Sequence, residues 1–206
     1  MNTLGLCCLI SMHIFDEICC PFLAGAREHA VEVALHKVFS RAIVLDAHPR
    51  TLISVSVLVQ HDDGALLAAA VNCVTLALVD AGVPLCGLFV AVSLGLEHRG
   101  DAIVASADGG VAMAGSQMDL LSVEENRLAV VATLAYLGSG ASPVLWHQHG
   151  NVAIPPPLCS AVALDARLAA DAVLAFLRLA VSQRVERARA RLPSSDEAAT
   201  ATQLAV

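Results

Sequence analysis

From Ala65 to Leu96 the chain carries a single charged side chain, Asp80, in an otherwise apolar stretch. A run of this kind has two physical homes, a bilayer or the middle of a layered protein core. Asp80-Ala-Gly-Val-Pro84 divides it, with Gly82 and Pro84 in the order that ends a helix. The run therefore splits into a helix of about 16 residues and a strand-length piece, each too short to cross about 30 Å of hydrocarbon. Hydropathy alone would support a membrane-inserted protein built on residues 65–96. The break instead predicts a helix that is apolar on every side and must be covered all round, with no membrane partner.

The flanking segments show what could cover it. Val31, Ala34, Leu35, Val38 and Ala42 recur at helical spacing between Arg27 and Ala42, which predicts an amphipathic helix. Ile53, Val55, Val57 and Val59 then alternate with Ser54 and Ser56, the pattern of a strand with one well-buried face. His61-Asp62-Asp63-Gly64 is turn chemistry. After the apolar helix, Leu85 to Leu96 and Asp101 to Ser106 flank Glu97-His98-Arg99-Gly100 as a hairpin would. Residues 107–121 are glycine-containing and of low complexity, a flexible surface insertion. Arg127 to Leu137 and Pro143 to Gln148 form a further strand pair across a Gly/Ser turn. Pro155 to Pro157 end the sheet part, because proline cannot donate to a ladder. Cys159 to about Arg191 is one long helix whose apolar stripe runs through Val162, Leu164, Leu168, Ala172, Leu174, Leu177 and Val181. The expected organisation is a divergent segment over 1–25, one domain over 26–191 and a disordered tail over 192–206.

Composition narrows the chemistry. The formal charge of −7 disfavours a free-standing nucleic-acid binder, which relies on phosphate neutralisation, so any RNA contact is expected to be local or borrowed from partners. Seven cysteines include the adjacent pairs Cys7-Cys8 and Cys19-Cys20, not CxxC knuckles, so buried or terminal thiols in a reducing cytosol or nucleus are expected. His147-Gln-His149 puts two imidazoles on one face of a strand with no third ligand in view, and no metal is assigned. No GxSxG setting, phosphate-loop lysine or dinucleotide fingerprint accompanies the serines and glycine pairs, so no cofactor is expected. The N-terminal Leu4 to Ile10 is apolar without a basic region before it, a poor signal peptide.

Four segments together resemble a known family. His48-Pro-Arg-Thr51, the run Asp62-Asp-Gly-Ala-Leu-Leu-Ala-Ala-Ala-Val-Asn72, Leu76-Ala-Leu-Val-Asp-Ala-Gly-Val-Pro84, and Glu124-Glu125 ahead of Leu128-Ala-Val-Val-Ala-Thr133 are similar to the corresponding parts of the RNase PH family. They look like the corresponding run in ring subunits of the eukaryotic RNA exosome, especially of the ribosomal RNA-processing protein 46 type. The resemblance, over about residues 27–190, implies an α/β (α+β) RNase PH-like domain of the ribosomal protein S5 domain 2-like class. That fold is expected to be N-terminally incomplete, since the family's opening strands are not supplied by residues 1–25. It further implies a hetero-oligomeric ring of RNase PH-like subunits as partners, RNA met through the assembled channel, and a place in the nucleus, nucleolus and cytoplasm.

The departures from the family pattern bear on activity. Arg27 falls where the family holds phosphate with an arginine. The second phosphate-binding pair, a threonine and an arginine after the glycine turn, is Ala65 and Leu66 here, and the family's catalytic acids meet Ala105, Ser106 and Ala107, with Asp108 near. Losing those charges removes most of the transition-state stabilisation they could provide. No catalytic residue is assigned; Arg27, Arg50 and Arg99 are left as weak RNA or phosphate contacts. The expectation is a non-catalytic ring subunit, not an enzyme, with a phosphate-dependent 3′-to-5′ exoribonuclease as the alternative. Uncovered sheet edges also predict poor solubility of the chain alone.

Overall fold

A computed structural model describes residues 6–13, 26–96, 116–128, 130–138, 140–150, 154 and 156–190. Its order is β1 (Leu6–His13), α1 (Ala26–Ala42), a 3-10 turn (Leu45–Ala47), β2 (Leu52–Val59), α2 (Leu66–Asp80), β3 (Phe89–Leu96), β4 (Ser116–Met118), α3 (Ser122–Glu125), β5 (Val130–Leu137), β6 (Pro143–Gly150) and α4 (Pro156–Ala190). An antiparallel sheet ordered β4-β3-β5-β6 forms the centre, and β1 and β2 make a separate antiparallel ribbon.

The apolar character of α2 follows from its place between these two sheets. On the central sheet, Phe89, Ala91 and Ala135 meet Leu67, Val71, Val74 and Leu78 of α2, together with Val38 and Phe39 of α1. Ile53 and Val57 of the ribbon approach the same cluster from the other side. The opposite face of the central sheet carries Val90, Val92, Leu94, Ala132, Leu134 and Tyr136 onto Leu158, Val162, Ala166, Ala170, Leu174 and Leu177 of α4. The layers are therefore α4, central sheet, α1 with α2, and ribbon. β3 and β5 are covered on both faces, which is why they read as continuous apolar runs instead of alternating ones.

Two contacts fix α2 against this core. Among the described residues, β4 pairs with β3 at Leu94 to Leu96. Farther along β3 the Asn72 amide bonds the strand: its Nδ2 donates to the Ala91 carbonyl and its Oδ1 accepts from the Ala91 N–H, both at 2.9 Å. At the other end of α2, the Val83 N–H donates to Leu78, while Val44 and Cys86 donate to Pro84 and Ala42, joining the ends of both helices.

Several sequence expectations are corrected. Residues 6–13, assigned to a segment without strands, pair along the whole of β2, from Leu6 opposite Val59 to His13 opposite Leu52. β2 lacks the well-buried face its alternation implied: Val55 and Val59 are exposed and Ile53 and Val57 half-buried, because a two-stranded ribbon with a cavity beside it cannot enclose them. Residues 116–121, placed in a flexible insertion, contain β4 and the buried Leu120. β3 finds its partners in β5 and β4; the expected second hairpin strand at 101–106 and the rest of the insertion, 107–115, lie outside the described residues, as does the tail at 192–206. α4 begins at Pro156, with proline in a first turn where no intrahelical N–H is required. Leu164 and Leu168, assigned to its buried stripe, face outward.

Tyr136 joins the sheet to α4 through a 2.7 Å hydrogen bond from its hydroxyl to the Ala163 carbonyl, and the Arg167 guanidinium lies 5.1 Å from its ring centre. Burial raises the phenol pKa above its ordinary 10.0, with Arg167 opposing the shift. The folded chain thus holds this proton more tightly than the unfolded one, so the contribution is complete below pH 10 and is lost as pH rises above it. Tyr136→Phe is expected to cost about 1 kcal/mol at neutral pH and to lessen the alkaline fall in stability, read from urea denaturation at a series of pH values. Asn72→Ala, which leaves both Ala91 groups without their partner, is expected to cost about 2–3 kcal/mol in the same assay.

Candidate functional site

The junction that most constrains activity is the turn leading into α2. Gly64 takes φ +110°, and a Cβ there would collide with the main chain of Leu120 to Ser122, so only glycine allows the two segments to approach. Asp62 Oδ1 accepts from the Gly64 N–H at 3.2 Å, and the Ser122 N–H donates to the Asp63 carbonyl at 2.6 Å. Ala65 follows in a left-handed conformation, φ 50°.

A helix N-terminus normally presents free N–H groups and a partial positive charge to an anion. Here an anion from the chain itself occupies it: the Ala65 N–H donates to Glu125 Oε1 at 2.7 Å, across 60 residues of sequence. Glu124 bonds through Oε2 to the Leu121 N–H at 2.9 Å and so holds α3 in place. Residues 61–66 and 120–126 together bring four carboxylates, Asp62, Asp63, Glu124 and Glu125, and no lysine or arginine. A phosphate at this turn would meet like charge, with one of its natural donors already taken.

The predicted contact residues do not assemble around this turn. Arg27 is in the first turn of α1, its side chain outside the described residues, and Arg99 is outside them entirely. Arg50 is exposed in a left-handed conformation, φ 59°, between the 3-10 turn and β2. Beside it, His48 Nε2 is buried without a hydrogen-bond partner among the described residues. The bond from Ala65 to Glu125 is the feature of this turn that residue patterns did not assign; the adjacent acids were visible, but a contact over 60 positions leaves no local signal.

A cavity of about 600 Å³ lies between α1 and β2, lined by Val33, Leu35, Phe39, Ile53, Val55 and Val57 with His36 and Lys37 among its polar members. His147 and His149 share a face of β6 with ring centres 6.1 Å apart, and burial followed by the charge of His149 lowers the His147 pKa below 6.5. No group of three or more metal-ligating side chains occurs among the described residues, and none of their helices is long and apolar enough to cross a membrane.

Glu125→Ala is expected to destabilise the fold by about 1.5 kcal/mol through loss of a charge-assisted bond, and Glu125→Gln by less, since its carbonyl can still accept from Ala65. Chemical denaturation of the two variants side by side checks the order.

Residues 23–84 match the 3′ exoribonuclease family, domain 1, of the RNase PH type. The chain is 41% identical over 76 residues to the exosome complex exonuclease RRP46 homolog of Arabidopsis thaliana, an alignment covering 37% of this chain and 32% of that protein. It is 34% identical over 107 residues to the exosome complex component ski6 of Schizosaccharomyces pombe, covering 52% and 38%. The chain thus spans about a third of the length of the curated relatives it matches. The crystal structure of rice (Oryza sativa) Rrp46 superposes with a TM-score of 0.63 at 27% identity, over 79% of this chain and 69% of that one. The layered fold is RNase PH-like, and residues 23–84 are similar to domain 1 of the 3′ exoribonuclease family.

Proposed function

We propose that this chain is a non-catalytic, structural subunit of an exosome-type ring of RNase PH-like proteins, supporting 3′-to-5′ RNA processing and degradation, ribosomal RNA maturation included. The observation that carries the reading is the entry to α2, where Ala65 and Leu66 offer phosphate no side-chain donor and the Ala65 N–H is taken by Glu125. That bond puts a carboxylate at the helix terminus beside Ala65 and Leu66, the two positions where the family resemblance would require a threonine and an arginine for phosphate. Phosphorolysis needs that phosphate bound and its charge compensated. A turn carrying four acids works against both.

The relatives' names supply the assembly: proteins called exosome complex components include ski6 of fission yeast and MTR3 of Homo sapiens, to which residues of this chain are 34% and 39% identical. In this reading the partners are other RNase PH-like subunits, RNA is met through the assembled channel with Arg27, Arg50 and Arg99 as weak contacts, and the protein works in the nucleus, nucleolus and cytoplasm.

Two measurements test the proposal. The tagged chain, expressed in its own cells, is expected to co-purify with several RNase PH-like exosome subunits; recovery without any of them removes the ring reading. The purified chain with single-stranded RNA and inorganic phosphate is expected to release no nucleoside diphosphates. Release that disappears in Arg27→Ala establishes instead a phosphate-dependent exoribonuclease.

A further inference from the structure

β6 carries different chemistry on its two faces. Toward α4, Trp146 packs against the cluster that joins α4 to the sheet, and its Nε1 donates to Gln148 Oε1 at 3.3 Å. On the other face Leu145 packs on the cluster shared by α1 and α2, and the same row continues along the strand through His147, half-buried, and His149, exposed. β5 holds both histidines in register, Thr133 opposite His147 and Val131 opposite His149. Successive same-face positions on a strand are about 6.8 Å apart. The two imidazoles keep close to that spacing, 6.1 Å between ring centres with planes 41° apart.

Two imidazoles so placed are a chelate in waiting. Burial, and then the charge of His149, favours the neutral form of His147, which is the form that binds a metal. With nitrogen–metal bonds of about 2.0–2.1 Å, two rings on one tetrahedral cation have their centres roughly 5 Å apart. The rings therefore need to approach by only about 1 Å, which side-chain torsions supply while the strand stays still. The donors also select the metal. Imidazole nitrogen suits zinc, nickel and copper, whereas two nitrogens offer magnesium and calcium none of the oxygens they require. Because one rigid strand carries both ligands, the second bond is intramolecular and raises the affinity of a single imidazole by roughly a hundredfold or more. We infer that His147 and His149 form a binding site for one divalent cation of the zinc and nickel class, held by the two imidazoles with water in its remaining positions. The site lies on β6, apart from the α2 turn, and is read independently of the ring.

Trp146 is the only tryptophan in the chain and is adjacent in sequence to His147, so it reports on this site alone. Nickel(II) quenches indole emission at short range, and titration of the full chain with nickel chloride is expected to give saturable quenching at one ion per chain. Zinc chloride is expected to restore the emission by competition, and magnesium chloride to leave it quenched. His147→Ala and His149→Ala are each expected to weaken the binding by roughly a hundredfold. Circular dichroism of His149→Ala is expected to match the wild type, since that side chain is exposed. Cys86→Ser, which removes an exposed thiol elsewhere, is expected to bind as the wild type does. Quenching that fails to saturate, that persists undiminished in His149→Ala, or that is lost in Cys86→Ser overturns the inference. Any of these results leaves the ring proposal standing, because co-purification and phosphorolysis decide that one.

Discussion

The fold depends on α2 being enclosed on most of its surface. Leu67, Ala68, Ala70, Val71, Val74, Thr75 and Leu78 are buried, while Leu66, Ala69, Cys73 and Ala77 are half-buried along one side and Asp80 is exposed, so the cover expected all round is incomplete there. The helix requires a sheet below, a ribbon above and α1 alongside. Burying several such side chains, each contributing about 1.5–3 kcal/mol, is a large fraction of the net stability of a domain this size. The polar groups inside this arrangement are satisfied locally: the Thr75 hydroxyl donates to the Val71 carbonyl one turn back, and Asn72 serves the sheet directly. The ribbon gives the weakest cover, and the cavity beside β2 shows where enclosure is least complete.

Much of this was legible in the residues, for physical reasons that also explain the failures. α2 could be read because its apolar periodicity is interrupted on no side and its end is marked by Gly82 and Pro84. β3 and β5 could be read because strands covered on both faces are apolar throughout. β4 could not: three residues, Ser116 to Met118, lie in a stretch of small side chains and become a strand only through pairing with Leu94 to Leu96. α4 misled for the opposite reason. An Ala- and Leu-rich helix carries more than one apolar stripe, and periodicity alone cannot say which meets the sheet; Leu164 and Leu168 belong to the outer one.

The candidate site divides in the same way. The replacement of a threonine and an arginine by Ala65 and Leu66 is visible as residues in a line. The place of Glu125 against the same turn is visible only in three dimensions, and it converts a missing pair of side chains into a positive electrostatic feature. An empty helix terminus attracts an anion weakly; one that already holds a carboxylate presents its own negative charge to any phosphate that approaches.

The two hydrogen bonds of Asn72 have a consequence for how α2 and the central sheet hold to one another. By taking both main-chain groups of Ala91, one amide on a helix makes the pair of bonds that a residue of a neighbouring strand would make. The position of α2 along β3 is thereby set as a strand's register would be: a slide of the helix by one residue breaks both bonds at once.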